Sequence, residues 1–260
     1  MVMKVTVSVV TCDKDLLLLR RLVNSIYRHW YPADLEEIIV VYNGTEFDTA
    51  APWIQRLEQT GIQLRVIDCH GIWPSQAQYN WHSQQQLKML VSEQVSTDWY
   101  IIHDSKDYYI APAGSERFFT AWGTSLHHSA TLTTDSWAGH EAIFETQYRN
   151  AYALMDLPTP EKILRAYPST FPAHTQTMID LLQYLKTQTG KLFDDLLLLE
   201  KNNKHLYTEY SLISAWHTKQ NIMDNLYLPG RMNNTFYDII KSDKTLRTDL
   251  ELLLLVKENK

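Results

Sequence analysis

WYIIHDSKDYYI, residues 99–110, is the stretch that decides the predicted fold. Its first four residues are aromatic or β-branched, as in a strand buried in the middle of a parallel sheet. The strand runs directly into the charged group His103-Asp104-Ser105-Lys106-Asp107. Because ligands of open α/β sheets bind just beyond the carboxyl ends of the strands, this group is where a charged small molecule would bind. The alternative is a solvated turn between two strands.

The length and composition are those of a globular protein with a full core. The 260 residues are 45% apolar and 21% charged, and the formal net charge of −6 argues against a broadly basic nucleic-acid surface. Cys12 and Cys69 give neither a disulfide framework nor a zinc spacing, which favours a reducing compartment. The N-terminus lacks the layout of a signal peptide, and no apolar run reaches the roughly 18–20 residues of a membrane span. We therefore expect a cytoplasmic location.

Strand and helix patterns alternate through the first part of the chain. The predicted strands cover residues 5–10, 38–42, 63–67 and 99–102. The predicted helices between them cover residues 16–30, 52–59 (closed by Gly61) and 76–95. This βαβ rhythm predicts an α/β fold with a parallel sheet and right-handed crossovers. After residue 110 one strand at 130–134 is followed mainly by helices, predicted at residues 175–187, 192–201, 207–218 and 243–256.

Motifs for other nucleotide and metal enzymes do not fit. The turn after the first strand is TCDKD, without the glycines of a dinucleotide-binding turn or a P-loop. His140-Glu141 begins like a zinc-protease motif, but Phe144 stands where the second histidine is required. These comparisons exclude the commonest dehydrogenase, P-loop and zinc-protease patterns.

Three segments together resemble the GT-A glycosyltransferases, which share a nucleotide-sugar-binding fold: VSVVTCDKD, IIVVYNGT and WYIIHDSKD. In that fold the fourth strand ends in a D-x-D motif, which here is Asp104-Ser105-Lys106, with the next acid at Asp107. Such serine-lysine variants resemble those of a group of bacterial and phage transferases. The resemblance covers about residues 4–112. It implies a Rossmann-like, mostly parallel sheet with helices on both faces and a helical C-terminal part.

The resemblance also implies two halves of one catalytic domain. Residues 1–150 would be the nucleotide-sugar-binding half, and residues 151–260 the acceptor-side, helical half. The donor's base and ribose would lie near residues at the ends of the strands, namely Thr11, Asp13, Asn43 and Asp104. Asn43 alternatively serves as a turn residue that tolerates a left-handed conformation.

The donor's diphosphate requires positive charge. Lys106 occupies the position of the family's metal-binding acid: it either replaces the ion or leaves Asp107 to bind one with Asp104. Magnesium or manganese suits such oxygen ligands, and we expect a divalent cation. Lys88 is a second candidate for phosphate contact, or an exposed helix lysine.

The general base of an inverting transferase of this fold is a carboxylate at the start of a helix in the second half. Glu209 fits, with Thr208 as the helix cap, although the helix dipole alone also favours an acid there. Asp135 and Glu141 are its rivals. Additional roles are predicted for three residues: His217 as a metal ligand, and Trp137 and Trp216 as stacking platforms for the acceptor.

The expected function is transfer of a sugar from a nucleoside-diphosphate sugar, most simply a UDP-sugar, to an acceptor hydroxyl. The acceptor is either a surface glycan or a hydroxymethylated DNA base of the phage type, and the acidic charge balance weighs against DNA. A catalytically silent nucleotide-binding scaffold is an alternative. A nucleotidyltransferase is another, but Asp13-Lys14-Asp15 is not the Gly-rich basic loop that such enzymes carry after their first strand.

Overall fold

The structure is a computed structural model that describes residues 3–59, 61–74, 81–121, 123–131, 141–158, 162–164, 170–188, 207–229 and 240–242. The described strands are β1 (Val5–Thr11), β2 (Leu35–Tyr42), β3 (Gln63–Asp68), β4 (Trp99–Asp104), β5 (Asp107–Tyr109), β6 (Ser125–Thr131), β7 (Lys162–Leu164), β8 (Phe171–His174), β9 (Tyr227–Pro229) and β10 (Ile240–Ser242). The described helices are α1 (Leu16–His29), α2 (Phe47–Gln55), α3 (Cys69–Ile72), α4 (Trp81–Leu90), α5 (Glu141–Leu154), α6 (Thr175–Gln188), α7 (Glu209–Lys219) and α8 (Met223–Leu226).

A five-stranded sheet in the order β3-β2-β1-β4-β8 forms the centre of the protein. β1 to β4 run parallel, and β8 pairs antiparallel with β4 at one edge. The predicted α/β class with a mostly parallel sheet is therefore confirmed. The strand order reverses between β1 and β4, and a crevice for ligands opens at such a switch point, outside the carboxyl ends of the strands.

The burial pattern explains why strands and helices of the first half could be predicted from the sequence. All seven residues of β1 are buried, as expected for a strand between two parallel neighbours. In α1 the buried apolar residues recur at helical spacing and include Leu18, Leu19, Leu22, Val23 and Ile26. The helix ends at His29, one residue before the predicted end.

Two predicted helices differ from those observed. The helix predicted at residues 52–59 begins at Phe47, whose ring packs 5.8 Å from that of Tyr42, and it ends at Gln55. Pro52 thus lies inside the helix, and Gly61 adopts its positive φ of 95° in the turn before β3 instead of capping the helix. The helix predicted at residues 76–95 is described as α4 followed by a short 3₁₀ helix at Val91–Gln94.

The second half contributes to the central sheet and to the layer beside it. β8 supplies the edge strand, while α7 packs against α4, α5 and α6. Two small sheets lie outside the central one, β10 with β5 and β6 between β7 and β9. The helices predicted at residues 192–201 and 243–256 lie outside the described residues. Among the described helices, none has the length and apolarity needed to cross a membrane.

Candidate active site

The candidate site lies at the carboxyl ends of β1, β2 and β4. Val10, near the end of β1, pairs with Asp104, the last residue of β4. On the other side of β1, Thr11 pairs with Tyr42, the last residue of β2, and the backbone N–H of Asn43 donates to the Thr11 oxygen at 2.8 Å. The register of the sheet therefore brings these predicted donor-site residues to one edge.

Both carboxylate oxygens of Asp104 pair with lysine ammonium groups. Oδ1 lies 2.8 Å from Nζ of Lys88, and Oδ2 lies 2.8 Å from Nζ of Lys106. Burial alone would raise the pKa of Asp104, but the two positive charges outweigh it and hold that pKa well below its usual range. The side chains of Asp104 and Lys106 are 19% and 26% exposed, so both remain within reach of a ligand.

Lys88 connects Asp104 to Glu209. Its Nζ lies 3.0 Å from Oε1 of Glu209, and the two side chains are 4% and 0% exposed. Burial works against the charged form of Lys88, yet the two carboxylates outweigh it and raise the pKa of Lys88 well above its usual value. Burial also raises the pKa of Glu209, against the opposing effect of Lys88. We call Lys88, Asp104, Lys106 and Glu209 the lysine–carboxylate cluster.

Glu209 reaches the cluster because α7 begins beside it. The hydroxyl of Thr208 accepts a hydrogen bond from the Ser211 N–H at 3.1 Å, and the Ser211 hydroxyl accepts one from the Thr208 N–H at 2.9 Å. This reciprocal capping box fixes the start of the helix. The predicted cap at Thr208 is confirmed. It fixes the first turn of α7, where Glu209 is the first helical residue.

Asp13 holds the turn that follows β2. Its Oδ1 accepts a short hydrogen bond from the Tyr42 hydroxyl, and its Oδ2 accepts one from the backbone N–H of Thr45 at 3.1 Å. Gly44 lies between these partners: a Cβ there would stand 2.7 Å from Oδ1 of Asp13. A larger residue at position 44 would therefore press on the Tyr42 and Asp13 side chains, and the carboxylate of Asp13 is already hydrogen-bonded within the protein.

The side chain of Asn43 is also engaged on both sides. Its Nδ2 donates to the Ser83 hydroxyl at 3.1 Å, and its Oδ1 accepts from the Cys69 thiol at 3.4 Å. Asn43 is buried, as is the Thr11 side chain. The predicted contacts of Asn43 and Thr11 with a nucleobase therefore stay predictions, and in this conformation the Asn43 side chain is hydrogen-bonded within the protein.

Asp107 turns away from the cluster. Its Oδ2 accepts a hydrogen bond from the backbone N–H of Asp104 at 3.1 Å and lies 3.4 Å from Nδ1 of His103. The Asp107 side chain has no exposed surface. It therefore closes the turn after β4 from the inside.

His217 lies apart from Asp104 and Asp107. Its Nε2 is 3.3 Å from the Thr177 hydroxyl, and its ring packs 5.2 Å from that of Tyr227. Burial, reinforced by the neighbouring His174, lowers the pKa of His217 to about 3. The predicted metal set Asp104, Asp107 and His217 is thus not assembled among the described residues.

One group within the described part of the chain has three ligand atoms close enough for a metal ion, namely Asp68, Cys69 and His70 at the end of β3. These atoms lie within 4.8 Å of one another. The group is already hydrogen-bonded internally, with Asp68 Oδ1 3.1 Å from Nδ1 of His70. Burial raises the pKa of the Cys69 thiol to about 12, so an ion that bound here would have to displace the thiol proton.

The remaining predicted residues fall in different places. Trp216 is buried, with its ring centroid 4.9 Å from that of Tyr184 in a tilted arrangement, so it offers no exposed face to an acceptor. Trp137 and Asp135 lie outside the described residues, as does the side chain of Glu141.

The structure also shows two contributors that the sequence analysis missed. Arg21 on α1 donates from Nη2 to the backbone oxygen of Lys106 at 3.0 Å, and its guanidinium lies 4.3 Å from the Tyr108 ring centroid. Gln85, with its amide nitrogen turned toward Glu209, donates to Oε1 at 2.8 Å. The sequence did contain a signal for Gln85, because Gln85 lies three residues before Lys88 and residues three apart share one face of a helix.

Chemically, the lysine–carboxylate cluster offers a partly exposed carboxylate on Asp104 and a partly exposed ammonium group on Lys106, supported by the buried pair of Lys88 and Glu209. Such a group is suited to binding a polar, anionic ligand in the crevice between β1 and β4. The fixed positive charges stabilise negative charge without reorganising when it appears.

Comparisons with known proteins identify the family. A family model matches residues 3–258, and its description is "Family of unknown function (DUF6492)". The chain belongs to the DUF6492 family. Both the central sheet and α7, which supplies Glu209, lie within the part that matches the DUF6492 model.

Two further comparisons add little to this. No curated protein matches the chain. Among solved structures, the chain is similar to the apo form of the bifunctional glycosyltransferase WbbM, with 13% identity and a TM-score of 0.48. The match covers 87% of this chain and 38% of that chain, so the protein spans well under half of the WbbM structure. A likeness of this degree carries no information on activity.

Proposed function

We propose that the protein transfers a sugar from a nucleoside-diphosphate sugar to an acceptor hydroxyl, with UDP as the nucleotide. The observation that carries the proposal is the position of Asp104 and Lys106 at the switch point between β1 and β4. A crevice outside the carboxyl ends of parallel strands is where open α/β sheets bind nucleotides.

The charges at this edge suit the reaction. In the proposed step the acceptor oxygen forms a bond to the anomeric carbon, while the bond from that carbon to the diphosphate oxygen breaks. The diphosphate leaves with the bonding electron pair, and the acceptor proton passes to a base. In the proposal Lys106 stabilises the charge on the leaving diphosphate, and Asp104 accepts a hydrogen bond from the donor's ribose; the partial exposure of both side chains supports these roles.

Glu209 is our candidate for the base. Its raised pKa brings the carboxylate closer to the range in which it accepts a proton efficiently. Because the side chain has no exposed surface, this role requires that donor or acceptor binding opens a path to it. In the proposal the acceptor hydroxyl belongs to a surface glycan or to a hydroxymethylated DNA base.

Thermal unfolding in the presence of nucleotides tests the proposal. Uridine, guanosine, adenosine and cytidine diphosphates are added, each with manganese or with EDTA. UDP should raise the melting temperature, because a ligand at 100-fold its dissociation constant stabilises the folded state by about 2.7 kcal/mol. The UDP-sugars that shift the melting point are then incubated with glycan and hydroxymethylated DNA acceptors.

Asp104→Asn supplies the site-specific variant, and Asp224→Asn its matched control, since Asp224 is exposed on α8. Asp104→Asn should lose the UDP-dependent shift while Asp224→Asn keeps it. If no nucleoside diphosphate raises the melting temperature, the proposed function is contradicted. Binding without transfer to any acceptor favours the silent scaffold.

A further inference from the structure

We propose that the site binds the donor's diphosphate through the ammonium group of Lys106, held in place by Asp104 and Lys88, without a divalent cation. This inference rests on the proposed function, because it names the group that holds the diphosphate of the same donor. It departs from the cation expected from the D-x-D resemblance. The departure follows from the way each carboxylate near the turn is paired.

Each oxygen of Asp104 already faces a lysine ammonium group. A lysine Nζ lies 2.8 Å from each of its oxygens, Lys88 on one side and Lys106 on the other. Magnesium binds its oxygen ligands at about 2.0–2.1 Å. An ion at that distance from Asp104 would stand beside at least one ammonium group, and the positive charge of that group would oppose its binding.

Asp107 does not supply a second carboxylate ligand to an ion bound at Asp104. Its Oδ2 is held by the backbone N–H of Asp104 and lies beside His103, and the side chain is fully buried. Turning Asp107 outward would break the hydrogen bond that closes the turn after β4. The remaining acid of the cluster, Glu209, is fully buried and faces Lys88.

The lysines supply the charge that an ion would otherwise supply. Two carboxylates and a divalent cation sum to a formal charge of zero. The lysine–carboxylate cluster sums to the same value, because Asp104 and Glu209 are balanced by Lys88 and Lys106. A diphosphate at this edge therefore meets the same formal charge in either arrangement.

Lys106 is the member of the cluster that can reach the diphosphate. An ammonium group has three N–H donors, and Asp104 takes one of those of Lys106, whose side chain is 26% exposed. Lys88 already serves Asp104 and Glu209 and is 4% exposed, so it is a positioning residue. The hydrogen bond from Arg21 to the Lys106 carbonyl fixes the backbone of the same turn.

Calorimetric titration with UDP tests the inference, in EDTA and in manganese. The wild-type protein should bind UDP in EDTA with an affinity within about threefold of that in manganese. Lys106→Gln should weaken binding in EDTA by about tenfold or more, the usual effect of losing a charge-assisted hydrogen bond. Lys4→Gln is the matched control, because Lys4 is an exposed lysine at the opposite end of β1. It should bind like the wild type.

Lys106→Asp adds a converse test, because it restores two acids at the D-x-D spacing. This variant should bind UDP at least about tenfold more tightly in manganese than in EDTA. Indifference of Lys106→Asp to manganese would overturn the assignment of Lys106 to the position of the ion. Wild-type binding that appears only with manganese overturns the inference and leaves the proposed function intact. Absence of binding by any nucleoside diphosphate in both buffers overturns the two together.

Discussion

Lys88 and Asp104 form an ion pair of 2.8 Å between the last turn of α4 and the last residue of β4. The same ammonium group of Lys88 also lies 3.0 Å from Oε1 of Glu209, so two carboxylates stabilise its buried charge. A buried pair of this kind gives little net stability, but removing one partner leaves an uncompensated charge in the interior. The cluster should therefore behave as a unit when its members are replaced.

Replacing Lys88 by methionine should destabilise the protein by about 3–5 kcal/mol, because Glu209 then loses its ammonium partner in the interior. Urea unfolding followed by circular dichroism measures the change. The double variant Lys88→Met, Glu209→Gln should recover a large part of that loss, since no unpaired carboxylate remains at α7. Strictly additive effects of the two substitutions would contradict the pairing.

The buried His217 should make stability fall in acid. Its folded pKa of about 3 lies below the unfolded value of about 6.5, so only the unfolded chain binds a proton between these values. Stability therefore rises with pH through this window, by at most about 1.4 kcal/mol per unit. His217→Gln should flatten the slope of unfolding free energy against pH. The neighbouring His174, whose pKa burial also lowers, remains in the variant and accounts for part of the residual slope.

Gly44→Ala should destabilise the protein by about 1–3 kcal/mol, as overpacking usually does. The added Cβ would meet the Tyr42 hydroxyl at 2.5 Å and press on Asp13. Gly71→Ala is the matched control, because among the described residues its Cβ would meet only Asp68 Oδ2, at 3.9 Å. Its unfolding free energy should stay within about 0.5 kcal/mol of the wild type. Equal effects of the two alanines would contradict the close approach at Gly44.

Glu209→Gln should leave nucleotide binding nearly unchanged and reduce sugar transfer by about 10²–10⁴-fold, the usual effect of losing a general base. The amide keeps the shape of the side chain, and Lys88 retains Asp104 as its partner. Rates are compared with Glu58→Gln, which changes an exposed acid. Near-normal transfer by Glu209→Gln would move the role to Asp135 or Glu141.

The sequence predicts the parallel part of the fold well because buried strands are continuous apolar runs. β2 and β4 fall on such runs, whereas β1 and β3 have polar residues between their apolar ones, the alternation that also predicts a strand. The edge strand β8 was not predicted, since Pro172 lies within it and proline argues against a strand. Proline is tolerated there because β8 pairs with β4 on one side only within the described sheet.

The site was predictable to the extent that it depends on strand ends. Asp104 and Asn43 follow directly from the ends of β4 and β2. The partnership of Lys88 with Glu209 was not predictable, because 121 positions separate the two residues and only the packing of α7 against α4 joins them. The inward turn of Asp107 also depends on tertiary structure, since His103 and the backbone of Asp104 hold it.

The pairing of β8 with β4 has a consequence for the solubility of shortened chains. A fragment that stops after residue 158 lacks β8, so the backbone of residues 99–102 loses its pairing partner on one side. An apolar, β-forming strand with a bare edge is a template for pairing with other molecules. The late strand thus shields the early half from self-association, and the fragment should aggregate where the whole chain does not.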